Sequence, residues 1–252
     1  MLRKLLFAFL LSLTFSACKV NHLAKVQPQG YRMQPQSTAV PAADQEIKAM
    51  IAPYKEKLDV EMNQVIGKAV REMTKAKPEG ALGNWMSDLL YEEINELMDE
   101  DIDFASVNYG GIRIPAIPQG DITRGKIYEL MPFDNMTVVL YLDAQTLQQF
   151  FEKVAEDGGT PISKQVQMEI KDRKLKSVTI NGKPLQAGIL YKVGVSDYVA
   201  NGGDDCSFFI GKKREDLGVF LRDLIIEHVE EESAAGKKID AASDGRIKIF
   251  NQ

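Results

Sequence analysis

The sequence predicts an α+β fold: a single domain with a mixed β-sheet and packed helices. Three observations lead there. Amphipathic helical stretches and short β-branched runs alternate irregularly from residue 45 to residue 250, without the strand–helix repetition of a parallel α/β sheet. Turn signals punctuate them, above all Gly110-Gly111, Asn181-Gly182 and Gly202-Gly203. The composition, 44% hydrophobic and 27% charged over 252 residues, is that of a globular protein able to bury a core.

The elements follow in order. Met1 to Cys18 opens with basic Arg3 and Lys4, then an apolar run from Leu5 to Phe15 that is short of the roughly 20 residues needed to span a bilayer. Small residues Ser16 and Ala17 precede Cys18, so residues 1–18 resemble a bacterial lipoprotein signal with Cys18 lipidated, the alternative being an ordinary secretory signal with an incidental cysteine. Residues 19–42, rich in Gln, Pro, Ser and Ala, read as a flexible tether with an r.m.s. reach of about 25–30 Å. The folded part then occupies residues 43–252. Its first helix is predicted from Gln45 to about Lys75: Ile47, Ile51, Tyr54 and Leu58 share one face, and Ile66 and Val70 continue it past a break near Gly67.

A second helix is predicted over Leu82–Met98, with Trp85, Leu89, Leu90, Ile94 and Leu97 on its apolar side. Ile102–Val107 reads as a strand and Pro115 to Pro118 as a loop. Thr123 can cap a short helix over Arg124–Leu130. Met136–Leu142 is a β-branched strand, followed by a helix over Thr146–Glu156 capped by Asp143. Strands around the Asn181-Gly182 hairpin turn come next, then a strand over Leu190–Ser196. Leu217–Val229 reads as the last amphipathic helix and Arg246–Phe250 as the closing strand. His228, beside Glu227, reads as a solvated or capping residue, and Glu227–Glu232 as a solvated helix face.

Composition also limits the chemistry. A net charge of -5 argues against a nucleic-acid polymer as partner, which needs a basic face. Two cysteines (Cys18, Cys206) and two histidines (His22, His228) supply neither a Cys/His zinc site nor a dinuclear metallophosphatase centre. With Cys18 lipidated, Cys206 has no disulfide partner.

Four segments in order carry a family resemblance: Glu79-Gly80-Ala81-Leu82-Gly83-Asn84, Asn108-Tyr109-Gly110-Gly111-Ile112-Arg113, Met131-Pro132-Phe133-Asp134-Asn135, and Asp197-Tyr198-Val199-Ala200-Asn201-Gly202-Gly203-Asp204. Taken singly they are bland. Phe133 reads as core, Arg113 as a surface charge, and Asn201–Asp204 as a turn. Together they resemble the C-terminal domain of the 5'-nucleotidases, over nearly all of the sequence after the tether.

The resemblance implies that Phe133 and Tyr198 sandwich a nucleobase. It also implies that Asn108 and Arg113 hold ribose or phosphate oxygens, that Asn135 lies near the base edge, and that Asp204 accepts from ribose hydroxyls. Gly110, Gly111 and Gly203 would let backbone approach the ligand. Tyr198 stands where the family commonly has Phe; since the ring is what stacks, Tyr198→Phe is expected to change little. A further family arginine falls on Ala76, between Lys75 and Lys77, which cannot form a planar fork. Tyr109 and Asp205 each stand where the family often has Gly.

In two-domain members the metals sit on a separate metallophosphatase domain. The resemblance therefore implies no catalytic residue, metal or cofactor in this chain. The expected partners are a nucleotide or nucleoside, a separate metallophosphatase chain, and a membrane reached through the lipid on Cys18. The expected place is the periplasmic side of a bacterial membrane, the outer membrane above all. A nucleotide-binding lipoprotein without hydrolase, or a degenerate interaction module, are the other readings.

Overall fold

Helix α1 runs over Ala42–Met62 and carries Pro53 in its interior. The computed structural model describes residues 42–250, so the predicted signal, Cys18 and nearly all of the tether lie outside the described residues. Within α1, Ile51, Tyr54 and Leu58 are all exposed, so the apolar stripe read from their spacing is not a core face of the described chain. No helix among the described residues is long and apolar enough to cross a membrane.

The predicted extension of this helix to Lys75 is corrected by the structure. Val65–Ala69 is strand β1, which pairs antiparallel with β5 (Gly120–Thr123). Gly67 is what the close packing needs: a Cβ there would lie 2.5 Å from Val229 Cγ1, so only glycine lets β1 reach the last helix. Ile66 and Ala69 of β1 are buried and Val65 and Lys68 exposed, while Val70, predicted on the same helical face as Ile66, lies beyond the strand and is exposed. Short β2 (Met73–Thr74) then pairs with β4 (Ala116–Ile117), placing a strand inside the segment predicted as loop.

Helix α2 (Ala81–Leu97) matches its prediction and buries Leu82, Trp85, Leu89, Leu90 and Ile94. Leu97 is exposed. After β3 (Phe104–Ala105), the predicted cap of α3 (Arg124–Leu130) is present, Thr123 Oγ1 accepting from Lys126 N. Strand β6 (Met136–Asp143) runs into α4 (Ala144–Glu156), whose cap is Asp143, accepting from Thr146 N at 2.7 Å. Strands β7 (Val166–Lys171), β8 (Lys174–Ile180) and β9 (Lys183–Pro184) surround the Asn181-Gly182 turn, where both residues have positive φ. Strand β10 (Leu190–Ser196) is followed by α5 (Asp197–Ala200), which the sequence reading had not resolved from its turn.

The last helix, α6, starts at Leu221 and ends at Ala234. Leu217 to Phe220 belong instead to β11 (Arg214–Phe220), a charged sheet-edge strand interrupted at Gly218. Charges suit an edge, which must resist pairing with other chains, and they hid this strand from hydropathy. The closing strand β12 spans Ile247–Phe250.

Two four-stranded mixed sheets result. One has the order β11-β6-β10-β3, with β10 parallel to β3 and the other pairs antiparallel. The second has the order β12-β7-β8-β9, with β12 parallel to β7. Helices α2 and α6 cover one core and α4 the other. Strand β6 serves both, with Val139 in the first core and Val138, Leu140 and Leu142 in the second. Gly194 of β10 admits α2, because a Cβ would lie 2.3 Å from Ile94 Cδ1.

Sequence misplaces His228. It is half-buried and its Nδ1 lies 2.7 Å from Oε1 of buried Glu93, so it joins α6 to α2 rather than facing solvent. The predicted solvated face of Glu227–Glu232 is likewise mixed, since Val229 in its middle is buried.

Candidate functional site

The strand directions gather the site. Parallel β3 and β10 end on the same side of the sheet, and antiparallel β6 begins there. The loop after β3 carries Asn108 to Arg113, the loop before β6 carries Phe133 and Asn135, and the segment after β10 carries Tyr198 and Asp204. These three loops surround one cavity of about 270 Å³, lined by Asn108, Gly110, Gly111, Arg113, Phe133, Asn135, Tyr198 and Asp204. Of the residues expected at the site, Gly203 alone does not line it; it supports Tyr198 from beneath.

Each side chain is held by its own loop chemistry. Phe133 is 40% and Tyr198 45% exposed, whereas Phe104, Phe151 and Phe209 are fully buried, so Phe133 is no core residue. Arg222, on α6 and itself buried, donates from Nη1 to the Phe133 carbonyl at 3.3 Å and from Nη2 to Asp134 Oδ1 at 2.6 Å. Asp197 Oδ1 accepts from Met136 N at 3.1 Å and Tyr198 N at 2.8 Å, tying together the segments that carry the two rings. Arg113 is fixed by its own N–H, which donates to Leu130 O, and by Nη1, which donates to Gly110 O at 3.2 Å. Its guanidinium carbon lies 5.6 Å from the centre of the Phe133 ring. Asp197 opens the fourth segment of the resemblance but carries no assigned role there, and Arg222 lies outside all four; a buried arginine beside a loop gives no distinguishing signal in one sequence.

Asp204 sits at the junction. It adopts φ 50° and ψ 42°, a left-handed conformation in which aspartate is among the better-tolerated non-glycine residues. Its Oδ1 accepts from Tyr198 Oη at 2.9 Å and its Oδ2 from Asn108 Nδ2 at 3.1 Å. The Asp204 hydrogen bond holds the Tyr198 phenol above its usual ionisation range. Asn108 is buried and its Oδ1 has no partner, close against Gly111, where a Cβ would lie 2.7 Å away. Asp205 follows, also left-handed at φ 61°, a conformation that glycine adopts freely.

Lys75 lies beside the cleft rather than in it. Its Nζ donates to Ile112 O at 2.8 Å and stands 3.9 Å from the centre of the Tyr109 ring, while Lys77 stands 5.0 Å from the same ring. Partial burial, then the nearby Arg113 and Lys77 charges, lower the Lys75 pKa. Ala76 thus leaves one ammonium group, that of Lys75, near Arg113 and no second fork, while Lys77 Nζ donates to the Asp157 carbonyl.

A second cavity of about 220 Å³ shares Asn108, Gly110 and Asp204 with the first and is also lined by Phe150, Val154, Val199 and Cys206. The Cys206 thiol is free and buried, and burial followed by the Asp204 charge pushes its pKa up to about 11, so it stays protonated. Its lining residues are scattered from Lys77 to Cys206, which no local pattern reveals.

Fold and cleft together define an α+β domain with a half-exposed aromatic pair, a guanidinium and a carboxylate around one cavity. The 5'-nucleotidase C-terminal domain profile matches residues 60–210. The chain belongs to that family. It is 27% identical over 81% of its length to a trifunctional nucleotide phosphoesterase of Bacillus subtilis, covering 15% of that protein. It is 24% identical over 76% of its length to a 5'-nucleotidase of Vibrio cholerae, covering 35% of it. Among solved structures, a 5'-nucleotidase precursor from Thermus thermophilus superposes with a TM-score of 0.69 at 25% identity, over 83% of this chain and 44% of that one. The NAD nucleotidase of Haemophilus influenzae, at 18% identity and TM-score 0.63, shares the fold over 83% of this chain and 42% of that one. The chain therefore spans less than half the length of these relatives.

A dinuclear metal centre of the kind phosphatases use does not fit the described residues. His228 is engaged with Glu93, and the one described group of closely spaced ligand atoms is Glu93, Glu96 and Glu231, three carboxylates that do not line the cleft.

Proposed function

We propose that this chain is the nucleotide-recognition part of a 5'-nucleotidase and that a separate metallophosphatase performs the hydrolysis. The observation that carries this reading is the single cavity formed by Phe133, Tyr198, Arg113, Asn108, Asn135 and Asp204. A nucleobase has two π-faces, and Phe133 and Tyr198 each offer a ring at the cavity. Asp204, an acceptor when ionised, suits the ribose hydroxyls, and Asn108 behind it carries an unsatisfied buried oxygen. Arg113, with Lys75 nearby, suits the phosphate side. The relatives' names, nucleotide phosphoesterase and 5'-nucleotidase, support the substrate class.

Calorimetric titration tests this directly. Adenosine and AMP are expected to bind the pure chain, AMP more tightly through Arg113. Phosphate release from AMP is expected to be absent with the pure chain and added divalent metal, and to appear when the metallophosphatase partner is supplied. No nucleoside binding, or metal-dependent hydrolysis by the pure chain, contradicts the proposal.

The proposal extends to place. Cys18, behind a short apolar run, would carry the lipid that holds the domain on the periplasmic side of a bacterial membrane, with the outer membrane expected. A mass measurement of the mature N-terminus should show a lipidated cysteine; an unmodified terminus contradicts the anchor.

A further inference from the structure

The Tyr198 hydroxyl does more than decorate a stacking ring. It donates to Asp204 Oδ1 at 2.9 Å, while Asn108, buried, donates to Asp204 Oδ2 at 3.1 Å. The Asp204 N–H turns back toward the same hydroxyl at 3.4 Å. Beneath the ring lies Gly203, where a Cβ would meet Tyr198 Cε1 and Cζ at 2.5 Å, so the ring rests directly on the turn that carries Asp204. The turn is held left-handed at Asp204 and Asp205 (φ 50° and 61°). Ring and carboxylate form one closed unit: phenol to carboxylate, carboxylate to buried amide, ring to backbone.

From this geometry we infer that Tyr198 is a specificity-determining residue, its hydroxyl positioning Asp204 so that the site selects nucleosides with free 2'- and 3'-hydroxyls. The inference rests on the proposed nucleoside reading of the cleft. An ionised carboxylate has about four lone-pair positions, and two donors fill two of them. The other two remain for the sugar, and two anchors on opposite oxygens fix where they point. Removing the phenol oxygen leaves Asp204 anchored by Asn108 alone, on a solvent-facing turn. Its carboxylate can then rotate, and the sugar's hydrogen bonds must be bought with ordering that the intact bridge has already supplied. The ring itself remains in Tyr198→Phe, so base stacking is preserved. This revises the expectation that the substitution changes little.

The experiment compares dissociation constants of adenosine and 2',3'-dideoxyadenosine for the wild-type chain, Tyr198→Phe, Asp204→Gly and the double variant. Glycine at 204 removes the carboxylate without straining the left-handed backbone. The wild type should favour adenosine. Tyr198→Phe should cut that preference by about threefold to tenfold, through weaker adenosine binding at constant dideoxyadenosine affinity. Asp204→Gly should abolish the preference, and adding Tyr198→Phe to it should change nothing further. A residue serving only as a stacking platform would shift both ligands alike. An unchanged preference in Tyr198→Phe, or equal weakening of both ligands, overturns the inference while leaving the cleft reading intact. A wild-type chain that binds neither nucleoside overturns both.

Discussion

Replacing Arg246 by alanine is expected to destabilise the fold by about 3–5 kcal/mol. The Arg246 side chain is buried, just ahead of β12, and all its donors are used. Nη1 and Nη2 fork onto Asp88 of α2 at 2.8 and 2.9 Å. Nε and Nη2 reach Asp244 at 3.0 and 2.6 Å, and Nη1 also donates to the Ile162 carbonyl at 2.8 Å. Asp88 in turn accepts from Lys164 N at 2.7 Å, so one guanidinium joins α2, the segment before β7 and the start of β12. Alanine leaves a cavity, an unpaired carbonyl and a partly buried Asp88 without its cation. Lysine keeps the charge but loses the fork, and should fall between. Urea unfolding measures this; a loss under about 1 kcal/mol would show that the network matters little.

The same network gives a pH dependence whose sign is fixed. The Arg246 hydrogen bonds, against some burial, hold Asp244 below the usual carboxylate range. A folded pKa below the unfolded value means stability that is present above the unfolded value, near pH 4, and lost as pH falls through the folded one. Acid unfolding of the wild type should therefore steepen below about pH 4, and Arg246→Ala should flatten that dependence.

Phe133→Ala is expected to weaken nucleoside binding by about 1–3 kcal/mol, roughly five- to 150-fold, while leaving the chain folded. The ring is 40% exposed and belongs to neither core cluster, so truncation opens no core cavity. Its loop is held through backbone, by the Arg222 bond to the Phe133 carbonyl, and that bond survives the substitution. What goes is one face of the cavity and the surface over which Arg113 lies. Calorimetry and thermal unfolding on the same sample separate the two effects. Unchanged affinity in a folded variant would remove Phe133 from the site.

Most of the fold was legible because helices and strands with one buried face write their period into the sequence. The prediction for α2, the caps Thr123 and Asp143, the strand β6 and the Asn181-Gly182 turn depended on neighbours within four residues. Among the elements that differ are β1 and β11. Five residues of β1 are too few to separate a strand from a helix face, and β11 carries edge charges in place of alternation. His228 failed because its partner Glu93 is 135 residues away.

By itself the sequence determined the residue types of the cleft: two rings, a guanidinium, amides, a carboxylate and the glycines beside them. Such groups are specified one position at a time, and it is the family resemblance of four ordered segments that marks them as candidates. Tertiary structure alone decided how they act on one another. That Tyr198 binds Asp204, that Asn108 braces it from behind, that Arg222 holds the Phe133 loop and that a second cavity adjoins the first all depend on distances between side chains from different loops. Those distances are set by β3, β6 and β10 lying side by side, a pairing that hydrogen bonds between distant segments create and no local pattern encodes.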